Sequence, residues 1–413
     1  LKRQTLQAGS EPSPLAPYLS DAVKAGPYVF PSGVMVTTEP STNPYNSPIR
    51  QQTELVLKRL ELALKAGGSS LDSVVRMKTY HTNLDDLPIH VEVLRRHLGQ
   101  TRLGPDAIGC GLVQAAAVVE VDVIGLAAGS GVKRELIETD SIPRSGERYA
   151  QGVKAGPFVF VAGVTATDFK TGVAMGAQVP EGMPLVGSPI KRQTAWALDA
   201  IARVLEAAGS SLDQVVRAQV VLRDLTDFFA FDEVWRSYFG DTPPARTVLN
   251  AELVNPGCVV EVDVVAIAPG SGLKKEIVTT VNAPVPTVAE PQAVKAGEFL
   301  FVSGLLPTDW ETGLSPEVRI DPSFPRDGSA IKKQAGYILR NLKAILEAGG
   351  SSLENVVRVG AYHTHIARDL LGAMEVRRQH FPEHPPASLT IELPRLLVPG
   401  SLFMFDAIAV TND

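Results

Sequence analysis

In the middle third of the chain, apolar residues follow two different periods. PFVFVAGV (157–164), VVRAQVVLRD (215–224), RTVLNAEL (246–253) and VVEVDVVAIA (259–268) are short runs rich in β-branched or aromatic residues. Runs of this kind, bounded by glycine, proline or polar residues, predict strands. KRELIET (133–139) predicts one more, paired with PFVFVAGV as a hairpin. Between these runs Ile190, Ala197, Leu198, Ile201 and Leu205 recur at helical spacing behind Ser188 and Pro189, an N-cap and an N1 proline, and Gly209 is placed to end the helix. A shorter helix is predicted from about Asp227 to Tyr238. The order β-β-α-β-α-β-β describes an α+β unit with two helices on one face of a mixed sheet. Its other face is left for something else to bury.

The same pattern occurs three times. GSSLDSVVR at 68–76 returns as GSSLDQVVR at 209–217 and GSSLENVVR at 350–358, and the same 141-residue offset relates Ser47, Ser188 and Ser329. VKAG begins at Val23, Val153 and Val294, so the first copy has 11 fewer residues between this anchor and its helix. The junctions AAGSGVKREL and APGSGLKKEI are short and rich in small residues, which sets cuts near 130 and 271 and gives modules 1–130, 131–271 and 272–413. Three half-covered sheets in one chain are expected to bury their open faces against one another, as a monomer with internal pseudo-threefold symmetry.

Composition narrows the class. The 413 residues are 45% hydrophobic and 20% charged, with no apolar run long enough for a membrane span. The net charge of −6, from 39 basic and 45 acidic residues, comes without a lysine- and arginine-rich stripe, so nucleic acid is not an expected partner. Cys110 and Cys258 suit neither a disulfide framework nor a zinc site, and a reducing compartment, the cytoplasm, is expected. The opening LKRQTLQAGSEPSP contains no apolar stretch of secretory length.

Three segments of the second copy carry a family resemblance: ERYAQGVKAGPFVFVAGV, then EAAGSSLDQVVRAQVVLRDLTDFFAFDEVWRSYFG, then PPARTVLNAELVNPGCVVEVDVVAIA. The module resembles the Rid (YjgF) family over almost its whole length. The resemblance implies one chain supplying all three positions of a trimer, with ligand clefts between modules. It also implies hydrolysis of small carboxylated imines or enamines with release of ammonia, without a cofactor or metal. In the family the arginine of the P-A-R segment grips the substrate carboxylate, and Arg246 matches it. The third copy has Ser388 there, and the first reads GPDAIG. A guanidinium fork suits a carboxylate. The family's last-strand glutamate, which handles water or the proton, matches Glu261 and also Glu120, against Met404 in the third copy. Tyr149 matches an N-terminal tyrosine, where the other copies have Leu19 and Glu290. Gly163 keeps the glycine of an S-G pair, and Asp232 stands where the family often has asparagine.

Each residue also has a plainer reading. Arg246 suits a surface ion pair, Glu261 a solvated strand position or an interdomain pair, Tyr149 an interface plug, and Asp232 an exposed helix site. A separate pattern lies outside the resemblance: TYHTN (79–83) mirrors AYHTH (361–365), so that His81 and His363 occupy equivalent strand positions where the second copy has Leu222. Interdomain packing, a general base or half of a metal site are all open to them. Three functions follow. The first is a hydrolase or deaminase of a small carboxylated C–N substrate, with Arg246 and Glu261 in an interdomain cleft. The second is a ring-opening hydrolase or isomerase with an asymmetric cleft that uses His81 and His363. The third is a non-catalytic ligand-binding or scaffold protein.

Overall fold

The computed structural model describes residues 1–412 apart from 10–16, 39–46, 99–100, 105, 146–148, 181, 183–186, 322 and 324–327. Six helices are described in chain order: α1 (Pro48–Ala66), α2 (Leu87–Leu98), α3 (Pro189–Ala207), α4 (Phe228–Phe239), α5 (Ala330–Ala348) and α6 (Ile366–His380). The expected start of α3 is present, with Ser188 Oγ accepting the Lys191 amide at 3.4 Å and Pro189 in the first turn. Ser329 caps α5 in the same way. None of the described helices is long and apolar enough to cross a membrane.

The sheet of the second unit runs in the order Ala245–Asn250, Val215–Leu222, Val260–Ile267, Phe158–Thr165, Gly152–Ala155 and Lys/Arg-led Arg134–Ile137. One expectation needs correcting here. The run beginning at Lys133 does not pair with PFVFVAGV, because the short strand Gly152–Ala155 stands between them and bonds to both. Only four residues long, this strand lacks the length to show a period. Ala245–Asn250 runs parallel to Val215–Leu222, while the other neighbours are antiparallel.

Alternation along Val260–Ile267 directs the chemistry. Val260, Val262, Val264 and Ala266 join Leu198, Ile201, Val204 and Leu205 of α3 in the core beneath the helices. Side chains at the intervening positions point to the opposite face, so Glu261, Asp263, Val265 and Ile267 face the other units.

That face carries the contacts between units. Tyr28, Phe158 and Phe299, equivalent residues after each VKAG anchor, meet with ring centroids 5.5–6.2 Å apart. Beside them lies a cycle of buried ion pairs. Arg76 reaches Asp263 of the second unit at 3.2 Å, Arg217 reaches Asp406 of the third at 3.3 Å, and Arg358 reaches Asp122 of the first at 2.7 Å. Two strand ends also cross boundaries: Glu252–Leu253 pairs with Ile108 and Gly109, and Gly111–Leu112 pairs with Ile391 and Glu392. The expected single strand RTVLNAEL therefore breaks at Ala251, and its last two residues join the first unit's sheet.

Candidate active site between the first and second units

Arg246 and Glu261 do not share a site. They lie on strands whose inner faces meet different neighbours, with Arg246 against the third unit and Glu261 against the first.

Arg246 is enclosed. Its Nη1 lies 2.8 Å from Asp232 Oδ1, an ion pair off the hydrogen-bonding line, and its Nε donates to Glu290 Oε2 at 3.1 Å. Phe228, Phe231 and Trp235 surround the guanidinium carbon at 5.4 Å each. The backbone amide of Arg246 donates to Ser303 Oγ at 3.1 Å. Burial pushes the Glu290 carboxyl up to about 7 even though Arg246 pulls it down. The neighbouring cavity, lined by Glu290, Ser303 and Gly304, has room for only about 20 Å³. Arg246 and Asp232, expected to meet ligand, are here paired with each other, and Glu290 fills the place that Tyr149 holds one boundary earlier.

Glu120 faces a third boundary. It is 1% exposed, its Oε2 has no partner among the described residues, and burial first, then the charge of Asp122, raises it well above the usual carboxylate range. Opposite it, the Gly33 amide donates to Ser388 O at 3.0 Å, and the Ser388 amide donates to Ser32 Oγ at 2.9 Å.

The roomy boundary is the one between the first and second units. A cavity of about 150 Å³ is lined by Gly104 and Asp106 of the first unit and by Arg144, Tyr149, Gly163 and Thr165 of the second, with Phe169 and Trp196 among the apolar wall. Asp106 opens the strand Asp106–Gly109, in register with Lys78. It comes so close to Gly163 that a Cβ there would lie 2.6 Å from Asp106 Oδ1. Gly104 is bare for a similar reason: a Cβ would lie 2.5 Å from the Tyr149 ring. The Tyr149 hydroxyl is buried and has no partner among the described residues.

Behind Asp106 lies a cluster that the sequence did not reveal. Lys78, fully buried, places Nζ 3.2 Å from Asp106 Oδ1, 3.3 Å from Glu261 Oε1 and 3.1 Å from Asp263 Oδ2. Burial alone would lower the lysine, yet the three carboxylates hold it above its ordinary value. Glu261 is raised well above the usual range by burial and by the charge of Asp106, against the pull of Lys78. Asp263, which burial alone would raise, is held down to about 2 by Lys78, Arg76 and Arg217. A Glu261 carboxyl that favours its protonated form, next to Asp106 and a fixed cation, can act with Asp106 as an acid–base pair.

The sequence of the chain, compared with known proteins, accounts for this architecture. A profile of the family described as Endoribonuclease L-PSP matches residues 8–127, 139–268 and 280–411. The chain belongs to this family, three modules long. The family also carries the RutC and Rid names. A RutC family protein of Pyrococcus horikoshii is 35% identical over 133 residues, which is 32% of this chain and 97% of that protein. A mouse protein named 2-iminobutanoate/2-iminopropanoate deaminase is 26% identical over 138 residues, 33% of this chain and 94% of its own length. Among solved structures, a putative endoribonuclease of Thermotoga maritima is 35% identical, covering 34% of this chain and all of that one at a TM-score of 0.29.

In this Rid-family chain the side chains of His81 and His363 make their contacts inside their own units. His81 Nε2 lies 3.1 Å from Thr79 Oγ1, and its ring meets His90 edge-on at 4.8 Å, within the first unit. His363 packs against Phe403 at 4.8 Å within the third. Burial lowers both to about 4. Each is enclosed in its own unit beneath a helix, away from the cavity between the first and second units. Among the described residues, no three His, Cys, Asp or Glu side chains converge as metal ligands.

Proposed function

We propose that the chain hydrolyses a small carboxylated imine or enamine at the boundary between its first and second units. One observation carries the reading, the Asp106–Glu261 pair beside the 150 Å³ cavity. Relatives named as imine deaminases support the substrate class.

The chemistry needs protons delivered to the nitrogen and taken from the oxygen, each twice. The imine nitrogen takes a proton from the carboxyl pair through Asp106, the group that lines the cavity. Water then adds to the C=N carbon and gives its proton back to the Asp106 carboxylate. Transfer of that proton to the nitrogen, with the adduct's hydroxyl proton returning to the carboxyl pair, breaks the C–N bond and leaves a carbonyl and ammonia. Glu261 holds the shared proton behind Asp106, and Lys78 fixes both carboxyls. Tyr149 offers its free hydroxyl to the substrate. Arg144, the cation lining the described cavity, takes the substrate carboxylate in place of Arg246. Its present partners Glu138 and Asp140, at 3.2 and 3.0 Å, are surface pairs that a ligand displaces at small cost.

The test is ammonia release from freshly generated imino acids. Asp106→Asn and Glu261→Gln are expected to lower turnover by about 10²–10⁴-fold with the fold retained. Arg144→Ala is expected to raise KM for imino acids and leave uncharged imines unaffected. Wild-type turnover that both carboxyl substitutions leave intact overturns the reading. Carboxylate binding without any ammonia release supports the ligand-binding alternative.

A further inference from the structure

The turn that follows the strand Phe158–Thr165 holds an aromatic residue in a conformation that aromatic residues avoid. Phe169 has a φ of 59°, in the left-handed region, where a bulky side chain is strained. Two neighbours fix it there. Thr167 Oγ1 accepts the Phe169 amide at 3.0 Å and donates to Gly172 O at 2.9 Å, while the Asp168 carboxylate accepts the amides of Lys170 and Thr171 at 2.8 and 2.7 Å. Thr167 also bridges to Val173, and the Ala174 amide donates to Ala166 O at 2.8 Å, so the turn is tied at its base. The ring it presents is 47% exposed and lines the cavity between the first and second units.

The third unit repeats the arrangement. TDFKTG (167–172) returns as TDWETG (308–313), and the first copy, which is shorter before its helix, lacks the motif. Trp310 has a φ of 63°, its amide donates to Thr308 Oγ1 at 3.0 Å, and it lines the small cavity beside Glu290 and Ser303. Glycine or asparagine would satisfy this backbone with little strain. Both copies carry an aromatic ring instead, each time at the wall of a cavity, so the ring and not the turn accounts for the residue. Strain of this kind collects at ligand sites.

Size decides what the ring can meet. A cavity of about 150 Å³ holds a benzene-sized group, which is about what the C=N and carboxylate of an imino acid need. With Asp106 and Arg144 taking that reacting end, a longer side chain runs out along the wall that Phe169 forms with Trp196, half-buried on α3. We infer that the ligand of this cavity carries a bulky apolar side chain laid against the Phe169 ring, which makes Phe169 the residue that selects imines of large apolar amino acids over those of small ones. The reacting end is placed by the hydrolase reading, on which this selection rests, whereas the contact with the side chain is measured by binding alone.

The test titrates the full chain by calorimetry with phenylpropanoate and with propanoate, stable carboxylates that differ by one phenyl group. The wild type is expected to bind the phenyl compound about tenfold more tightly. Phe169→Gly, which also relieves the strained backbone, is expected to bring that ratio to about threefold or less, through loss of the phenyl compound and without a fall in unfolding temperature. Phe169→Tyr is expected to keep the ratio. Equal affinities in the wild type, a ratio unchanged in Phe169→Gly, or an equal loss of both probes overturns the selection by Phe169. Ammonia release separates this from the reaction itself. Equal kcat/KM for the imines of alanine and phenylalanine, both unaffected by Phe169→Gly, removes the role of Phe169 and keeps the hydrolase. Discrimination in binding without release from either imine removes the hydrolase and keeps the contact with Phe169.

Discussion

Replacing Arg246 with methionine separates a structural arginine from a ligand clamp. The guanidinium touches two carboxylates, Asp232 at 2.8 Å and Glu290 at 3.1 Å, and its side chain has no exposed surface. Removing it leaves two acids facing each other in a closed space. Breaking a buried pair from one side costs about 3–5 kcal/mol, because the orphaned charge stays buried. The cost depends on pH in a definite direction. Glu290 titrates at about 7 in the folded chain and lower when unfolded, so the folded state binds the extra proton, and the stability this gives is lost as pH rises through about 7. Without Arg246 to favour its charged form, the Glu290 carboxyl rises further. The deficit of the variant should therefore be small near pH 5.5 and largest near pH 8. Urea unfolding of the full chain at both pH values measures it, and Arg246→Met combined with Glu290→Gln is expected to recover part of the loss at pH 8. A single variant as stable as wild type at pH 8, within about 0.5 kcal/mol, would refute the cage. Loss of imino-acid turnover in that same stable protein would restore Arg246 as the clamp.

Other outcomes follow from the same geometry. Lys78→Met should destabilise the chain by about 3–5 kcal/mol, since Asp106, Glu261 and Asp263 lose their common cation, and thermal unfolding at pH 8 reads this directly. Gly163→Ala should push Asp106 aside and cost about 1–3 kcal/mol together with at least a tenfold loss of turnover; an active, stable alanine variant would contradict the close approach. His81 and His363, lowered to about 4 by burial, bind fewer protons folded than unfolded, so stability should fall as pH drops from about 6.5 towards 4. Glutamine at both positions should flatten that acid limb in a plot of unfolding temperature against pH while leaving turnover within a few-fold, and an unchanged limb would assign the acid sensitivity elsewhere.

Much of each unit could be read from the chain because its signals are local. The serine and proline ahead of α3 and the alternation in VVEVDVVAIA depend only on neighbours in sequence, and that alternation already sent Glu261 away from the helices. What could not be read depends on contacts between units. Asp106 and Lys78 are unremarkable in a list of charged residues, and the Rid comparison drew attention to an arginine missing beside Asp106 instead of the acid itself. One signal was available. Lys78 interrupts the strand run VVRMKTYH at a place held by Gln219 and Gly360 in the other copies, and a lysine in the middle of an inward-facing strand needs acids to receive it. The pairing of Arg246 with Glu290 was out of reach, since these residues lie 44 positions apart on either side of a unit boundary.

The three boundaries also show what covalent linkage permits. In an assembly of identical subunits a substitution is repeated at every contact, so a glutamate at the position of Tyr149 would close all the clefts together. Here Glu290 seals one boundary against Arg246 while Tyr149 lines the open cavity at another and Leu19 takes the corresponding place at the third. Written as one polypeptide, the three contacts are free to take separate occupations, each tuned without taxing the others, and the cycle of Arg76, Arg217 and Arg358 keeps them in one body while they diverge.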